Sequence, residues 1–341
     1  MLVLVRDAMI SSYSLYGYEP NRTLNLTALI VFAAAWAGHL VHAILYKQRW
    51  FGGCMFVACG LETAGYVARW LGTDDPTNMT LFIVQYVCLT LAPAFIMAAV
   101  YVLLGEAVVI WGYEYSYFQP WTYSRLFISL DLGAIVLQGC GGALAAASGH
   151  PDRRSTGVNI MVAGLVFQVF STVIFVALCV LFWRRMRADC PFAHTIEQSW
   201  AKERTRLLAE RNPRACSSDS LPGGLSSDES DESVKVDLIS PEYAALQSRL
   251  ADVRNSATTR ATLTATALAV VSVFVRSIYR VAELTRGWTS YLMTHEAFFL
   301  SLDALMIAIA VWLLLLLYPG RALGPIRISE VHRAAVAAYI V

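Results

Sequence analysis

Seven long apolar runs constrain the fold of this chain more than any other feature of its sequence. Each is close to or above the ~20 residues that a helix needs to cross a bilayer. Of the 341 residues, 57% are hydrophobic and only 15% are charged, which is too apolar for a soluble domain of this length. We therefore predict an all-α, polytopic membrane protein, a bundle of seven transmembrane helices near residues 26–46, 51–71, 80–104, 125–148, 158–183, 261–284 and 294–318.

The sequence also argues against several functional classes. It contains no GxxxxGK[ST] phosphate loop, so ATP hydrolysis is not expected as an energy source. It has neither a CxxC pattern typical of zinc sites nor a basic patch with interleaved aromatic residues. The apolar start of the chain is cut by Arg6 and Asp7, too early for a signal-peptide core, so the first helix should direct membrane insertion. We expect no enzymatic activity, no cofactor, no metal and no nucleic-acid partner.

One long connection, residues 184–260, interrupts the bundle. It includes ACSSDSLPGGLSSDESDESVKVD, which is rich in Ser, Asp, Glu, Gly and Pro and nearly free of aromatic residues. Such a segment cannot bury enough apolar surface to fold, so we predict that the loop is largely disordered. Ser226, followed by Glu229, resembles an acid-directed phosphorylation site, and the loop is a candidate binding site for a kinase or another regulator. A solvated linker is the simpler interpretation and the favoured one.

Basic residues and glycosylation sequons predict the same orientation. With the N-terminus outside, most Lys and Arg residues fall in cytosolic segments, as the positive-inside rule requires. The N-x-[ST] sequons at Asn21, Asn25 and Asn78 all fall outside, where we expect glycosylation. None of the cysteines falls in a segment placed outside, so a structural disulfide is not expected. The chain then divides into an extracellular segment (1–25), helices one to five (26–183), the cytosolic loop (184–260), helices six and seven (261–318) and a cytosolic tail (319–341).

Polar side chains inside the predicted helices are the candidate functional residues, because a charge near the bilayer centre is costly and rarely incidental. Arg276, Arg280 and Glu283 share one face of helix six at spacings i, i+4 and i+7. Pairs seven residues apart share a face of helices two, four and seven. The full set comprises Glu62, Arg69, Asp131, Gln138, Arg276, Arg280, Glu283, Glu296 and Asp303.

This set contains more acids than arginines. Any one pair could simply neutralise itself and lock two helices together, but surplus carboxylates favour a polar cavity that holds protons or a cationic ligand. Glu62 and Asp303 are the best carboxylates for an ammonium headgroup, because they lie deeper than Glu283 and Glu296. Arg280 is expected to pair with an acid and fix the cavity, since an uncompensated buried charge is strongly destabilising.

Glycine and proline residues within the spans are interpreted through helix packing. Gly139, Gly141 and Gly142 superficially resemble a phosphate loop, but they lie in an apolar span with no lysine after them. Close helix packing explains them better. Pro93 is expected to kink helix three and to free a backbone carbonyl.

At these residues the chain resembles a known family. The motif Glu62-x-x-Gly65-Tyr66-x-x-Arg69 is similar to the second-helix motif of the fungal lipid-translocating exporters, which include the RTA-like aminocholesterol-resistance proteins and the sphingoid long-chain-base exporter. The similarity covers nearly all of residues 18–320. The other matching residues are Tyr18, Pro20, Gln85, Ala92-Pro93, Tyr101, Asp131, Gln138-Gly139, Gly141-Gly142, Gly164, Gln168, Arg276-x-x-Tyr279-Arg280-x-x-Glu283, Gly287, His295-Glu296 and Asp303.

The resemblance implies a fungal plasma-membrane or vacuolar-membrane protein, the plasma membrane being preferred, that handles membrane lipids or amphipathic small molecules. Its expected substrates are sphingoid long-chain bases or sterol-like toxic compounds, whose export confers resistance. The polar residues named above, with Tyr66, are the expected substrate-binding residues. One departure is Leu300, where the family pattern implies an aromatic residue.

A lipid-responsive receptor or regulator of lipid asymmetry is the main alternative, because seven helices with an external N-terminus also describe that class. The acid-Arg-aromatic triplet and the Asn-Pro-x-x-Tyr pattern of the common receptors are missing. A retinal protein needs a lysine within a span, and Lys47, Lys202 and Lys235 lie outside them. A membrane zinc hydrolase would need a third ligand beside His39 and His42, so two packing histidines are the preferred interpretation.

Overall fold

The computed structural model describes residues 16, 18, 20–111, 115–118, 120–147, 151–188, 250–285, 291 and 295–323. Most of the long loop with Ser226 and Glu229, Gly287, and the N-terminal and C-terminal tails lie outside these ranges. Within them, seven helices are long and apolar enough to cross a membrane, which confirms the predicted architecture. They are α1 (Arg22–Tyr46), α2 (Arg49–Leu71), α3 (Met79–Trp111), α4 (Pro120–Ala147), α5 (Pro151–Ala188), α6 (Ala257–Thr285) and α7, which begins at Glu296.

The α7 helix changes its winding along its length. It begins as an α-helical turn at Glu296–Phe298, continues as a π-helix at Phe299–Ala304 and returns to α-helix at Leu305–Leu316. A short helix, α8 (Pro319–Leu323), follows. A π-turn inserts extra backbone into a helix and is frequent at functional sites. Apolar periodicity did not predict it, because every residue in this region remains helical.

The helices form a ring in chain order. Each of α1 to α6 packs against the next helix along the chain, and α7 closes the ring by packing against α1. A further contact joins α3 to α6 across the ring. Polar side chains on α2, α3, α6 and α7 therefore face a shared interior.

Some of the predicted glycine packing is present. A Cβ atom on Gly141 of α4 would lie 2.5 Å from the backbone nitrogen of Met161 in α5, and one on Gly157 of α5 would lie 2.7 Å from the Gly141 carbonyl oxygen. Only glycine allows two helix backbones to approach this closely. Gly139 and Gly142 are not closely packed in this way. A Cβ atom on Gly139 would meet no atom within 4 Å, and one on Gly142 would meet only the Met161 sulfur, at 3.9 Å. Close packing thus explains Gly141 but not Gly139.

Candidate functional site

A buried cluster of charged side chains lies where α2, α3, α6 and α7 meet. We call it the central cluster. Arg280 forms a two-pronged ion pair with Asp303, with Nε donating at 3.0 Å and Nη2 at 2.7 Å, and its Nη1 donates to Glu283 Oε2 at 2.9 Å. Arg276 Nε lies 2.7 Å from the same Asp303 carboxylate. The members of the central cluster are Glu62, Arg276, Arg280, Glu283 and Asp303, all nearly inaccessible to solvent.

The π-helical turn of α7 contains the acid at the centre of this cluster. Asp303 lies within Phe299–Ala304, and its carboxylate forms ion pairs with both arginines of α6. Two arginines one turn apart on α6 therefore converge on one carboxylate. The spacing of Arg276 and Arg280 predicted the shared face, but not their shared partner.

A backbone carbonyl of α3 fixes the position of Arg276. Pro93 has no backbone N–H, so the carbonyl of Leu89 lacks its usual helical partner. Arg276 Nη2 donates to that carbonyl. The expected release of a carbonyl by Pro93 is thus observed, and the freed group ties α3 to α6. At the same level, a Cβ atom on Gly65 of α2 would lie 2.6 Å from the Leu89 side chain, which shows how closely α2 approaches.

Glu62 is the one acid of the central cluster that forms no ion pair with a described arginine. Arg276 and Arg280 balance Asp303 and Glu283, so Glu62 gives the central cluster one excess negative charge. Its side chain is buried, and its Oε1 atom accepts no hydrogen bond from any described residue. It remains within electrostatic range of Arg276, Arg280 and Asp303. Such a group requires a proton, water or a cationic ligand, because a buried lone charge is costly.

Two tyrosine hydroxyls beside the central cluster also lack partners among the described residues. Tyr66 of α2 stacks on Phe32, with ring centroids 5.1 Å apart, and its buried hydroxyl makes no hydrogen bond. The hydroxyl of Tyr86 in α3 is also buried and unpaired, while its ring lies 5.8 Å from the Arg280 guanidinium carbon. Native proteins satisfy most buried polar atoms, so several unsatisfied groups in one place indicate a site that takes polar atoms from elsewhere.

A second ion pair lies nearer the start of α1. Arg69 Nη2 lies 3.4 Å from Glu296 Oε1, and Arg69 also donates to Asn25 Oδ1, at 2.7 Å, and to the Tyr18 hydroxyl. Burial raises the pKa of Tyr18, which keeps the hydroxyl neutral beside the arginine. Although Glu62 and Arg69 share a face of α2, Arg69 pairs with α7 instead.

Phe299 separates the two ion-pair layers. The guanidinium carbons of Arg69 and Arg280 lie 4.1 Å and 5.3 Å from its ring centroid. Cations over an aromatic face are attracted by the ring quadrupole. Phe299, the first residue of the π-turn, is the aromatic residue that lies between these two arginines.

Asp131 and Gln138 do not join the central cluster. The Tyr101 hydroxyl donates to Asp131 Oδ2 at 2.8 Å, while Asp131 Oδ1 is buried without a partner among the described residues. Gln138 Nε2 donates to Gln168 Oε1 at 3.1 Å and links α4 to α5, while Gln138 Oε1 stays unpaired. Asp131 is thus a second acid without an arginine partner, held on its own between α3 and α4.

Asn25 is a structural residue in this fold. It is fully buried, and its amide nitrogen donates to the Asn21 carbonyl and to Glu296 Oε1. A glycan on that nitrogen would replace both hydrogen bonds, so glycosylation of Asn25 stays a prediction that competes with this arrangement. Asn21 is exposed and caps α1 by accepting from the backbone of Thr23 and Leu24, so its amide nitrogen is not used in capping.

The histidines of α1 lie away from both ion-pair layers. His39 Nε2 donates to the Val311 carbonyl of α7 at 3.2 Å, and His42 packs edge-on against Tyr318 at 4.9 Å. Neither contact involves a metal-ligating partner, and the described helices contain no group of His, Cys, Asp and Glu residues arranged to hold a metal ion. These contacts are those of helix-packing histidines.

Sequence reasoning missed Phe299, Tyr86, the Leu89 carbonyl and the role of Asn25. Phe299 and Tyr86 are ordinary apolar-face residues by pattern, and only the paired arginines of α6 hinted at what they touch. The position of Pro93 identified the free carbonyl but not its partner. Asn25 carried a competing signal, because its sequon drew attention to glycosylation.

Comparison with known proteins gives consistent similarities. The family model described as RTA1 like protein matches residues 55–325. The Sphingoid long-chain base transporter RSB1 of Saccharomyces cerevisiae is 32% identical over 330 residues, covering 93% of this chain and 76% of that protein. Protoporphyrin uptake protein 1 of the same species is 28% identical over 154 residues, covering 45% of this chain and 50% of that protein. No solved structure matches the chain.

Proposed function

Because this chain is an integral membrane protein that belongs to the RTA1-like family, we propose that it transports cationic, single-chain amphiphiles of the sphingoid long-chain-base type across its membrane. Such a molecule has an ammonium group, neighbouring hydroxyls and one long alkyl chain. The direction is outward, which removes toxic amphiphiles from the cell and confers resistance.

The observation that carries this proposal is the unpaired Oε1 atom of Glu62 in a central cluster that two unpaired tyrosine hydroxyls flank. A carboxylate binds an ammonium group through charge-assisted hydrogen bonds. The hydroxyls of Tyr66 and Tyr86 can donate to, or accept from, the hydroxyls of the headgroup. The buried ion pairs between Asp303 and the α6 arginines hold these groups in place. The central cluster therefore has the chemistry of a headgroup site.

The excess negative charge of the central cluster also favours a long-chain base over protoporphyrin, the compound named in Protoporphyrin uptake protein 1. Protoporphyrin carries carboxylate groups, which an unpaired acid repels. Both arginines of the central cluster are already occupied by Asp303 and Glu283, so neither is free to receive an anion. The electrostatics of the site favour a cation.

We place the N-terminus and Asn21 outside and residues 184–260 in the cytosol, following the basic residues and the sequons. The central cluster then belongs to the outer half of the bundle, and the plasma membrane is the proposed location. The polar segment 214–236 of this loop is a linker that transport does not require.

The deciding experiment measures movement of a labelled long-chain base in liposomes that contain the full-length protein. Protein-free liposomes give the spontaneous rate, and albumin outside the vesicles removes the transported base. Protein should accelerate release, and Glu62→Gln should lower the accelerated part by about tenfold or more, the value of a lost charge-assisted hydrogen bond.

Glu106→Gln is the matched control. Glu106 is a partly buried acid of α3, near Tyr318 and remote from the central cluster, so its change should leave the rate unaltered. No acceleration by the unmodified protein, or an unaltered rate in Glu62→Gln, contradicts the proposal. Signalling that depends on a long-chain base without any movement of it would favour the receptor alternative.

A further inference from the structure

An apolar cleft opens between α3 and α4 beside the central cluster. Its cavity volume is about 220 Å³, which is smaller than a site that encloses a whole drug-sized molecule, and the cleft is open on one side. The α3 wall is built from large apolar side chains, whereas the α4 wall is built from small residues. The lining includes Tyr86, Val87, Gln138, Gly139, Gly142 and Met161.

The cleft has an apolar, lipid-facing mouth and a polar inner end. Val87 and Gly139 at the mouth are exposed on the outer face of the bundle. At the inner end, the Tyr86 hydroxyl and Gln138 Oε1 are buried without hydrogen-bond partners among the described residues, and Gln138 itself is 5% exposed. An apolar cleft that ends at unpaired polar atoms is complementary to a molecule with an alkyl chain and a polar head.

We propose that this cleft holds the alkyl chain of the transported amphiphile, whose headgroup lies at the central cluster. Tyr86 and Gln138 then contact the hydroxyls next to the headgroup, and the chain leaves sideways into the lipid between Val87 and Gly139. This inference rests on the proposed function and adds the path of the chain. Tyr86 connects the two sites, because its ring also lies 5.8 Å from the Arg280 guanidinium carbon.

The charges near the cleft select this occupant over a membrane phospholipid. A phosphodiester headgroup is held best by a free cation, and the described residues that line the cleft include no Lys or Arg. Arg280, which lies behind Tyr86, is occupied by Asp303 and Glu283. Neutral oxygen atoms at the inner end suit hydroxyl or ammonium hydrogens instead.

The glycines of α4 allow the cleft to be filled without disturbing the fold. A Cβ atom on Gly139 meets nothing within 4 Å, and one on Gly142 meets only Met161, at 3.9 Å. Leucine is also a better helix former than glycine. Gly139→Leu and Gly142→Leu therefore place a side chain where the alkyl chain would lie. Gly133→Leu is the matched control, because a Cβ atom on Gly133 also meets open space but Gly133 does not line the cleft.

The test uses full-length protein in liposomes and a long-chain base with a photoactivatable diazirine in its alkyl chain. Cross-links should map to residues 79–91 or 138–145, and unlabelled base should compete. Either cleft-filling variant should reduce labelling by about tenfold, because two groups cannot be packed into one space, whereas Gly133→Leu should label normally.

Each outcome separates the inference from the proposed function. If the unmodified protein transports the base but is labelled elsewhere, or if Gly139→Leu is labelled fully, the cleft is not the alkyl-chain site. The transport proposal is unaffected by either result. Equal labelling of the cleft by a diazirine-bearing phosphatidylcholine, undisplaced by the base, shows that it holds bulk lipid and also refutes the alkyl-chain site. Specific labelling of the cleft without transport supports the binding site and contradicts the transport proposal.

Discussion

Arg276 in α6 donates a hydrogen bond to the backbone carbonyl of Leu89 in α3. That carbonyl lies four residues before Pro93, which has no N–H to offer it. Pro93 therefore removes one hydrogen bond from α3 and leaves the Leu89 carbonyl free to accept one from α6. The same arginine contacts Asp303, so this one bond links the α3 backbone to the ion pairs of α6 and α7.

Arg276→Met should destabilise the protein by about 1.5–3 kcal/mol for the lost charged hydrogen bond, in addition to the cost of leaving Asp303 with one arginine fewer. Pro93→Ala supplies an amide for the Leu89 carbonyl. Arg276→Met should then cost about 1 kcal/mol less in that background, since the ion-pair contribution is the same in both backgrounds and cancels. Unfolding of the purified protein in detergent measures the cycle.

Thr90→Ala provides the control background for this cycle. Thr90 lies next to Leu89, but its hydroxyl donates to the Tyr86 carbonyl. Its coupling with Arg276→Met should be close to zero. Equal coupling in the Pro93→Ala and Thr90→Ala backgrounds would show that Arg276 does not stabilise the protein through the Leu89 carbonyl.

Asp303→Asn should lower the amount of folded protein, in contrast to Glu62→Gln. The sequence suggested that both acids are free to bind a headgroup, but Asp303 accepts from Arg280 through both oxygens and also contacts Arg276. Removing its charge leaves two buried arginines undercompensated, at a cost of about 3–5 kcal/mol. Size-exclusion chromatography of fluorescently tagged variants gives the folded fraction. Adding Arg276→Gln to Asp303→Asn should recover part of it, and full folding of Asp303→Asn alone would contradict the expected role.

Arg280→Ala should reduce folding more severely than the loss of either acid that it contacts. It pairs with Asp303 and Glu283 together, so its removal leaves adjacent acids facing each other. The conservative Arg280→Lys keeps the charge but loses the two-pronged geometry, and it should recover only part of the folded fraction. The same chromatographic assay compares the two variants, and equal behaviour would show that charge alone matters.

The helices and the interior charges were predictable because both follow from the cost of polar groups in lipid. Apolar runs give the spans, and residues such as Arg276 and Arg280 must face inward wherever they occur. The sequence did not predict which acid each arginine would bind. Glu62 and Arg69 share a helix face, yet Arg69 binds Glu296, since pairing depends on the depth at which neighbouring helices meet.

Local backbone changes account for the rest. The π-turn around Asp303 leaves no mark in apolar periodicity, although it places that carboxylate between the arginines of α6. Likewise, Asn25 reads as a sequon because three letters suffice to define one, whereas its burial depends on the distant Glu296 and Arg69. Sequence predicts which groups must find partners, and the tertiary arrangement chooses the partners.

Deleting residues 214–236 should leave expression and transport largely unchanged. This polar segment has no apolar face to pack, so the helices should not depend on it. Surface abundance and long-chain-base release are measured together. Normal abundance with lost release would instead identify the segment as a binding site for a regulator.

The sequons near α1 should behave differently when changed one at a time. Asn25→Gln should destabilise the protein by about 1–3 kcal/mol, because Arg69 and Glu296 lose buried hydrogen bonds. Thr27→Ala removes the same sequon but leaves the Asn25 amide intact, since the Thr27 hydroxyl is exposed and bonds only within α1. It should fold normally and leave electrophoretic mobility unaltered. Asn21→Gln or Asn78→Gln should remove a glycosidase-sensitive shift if these residues lie outside the cell. A shift lost in Thr27→Ala would mean that Asn25 carries a glycan and that its buried contacts with Arg69 and Glu296 do not form.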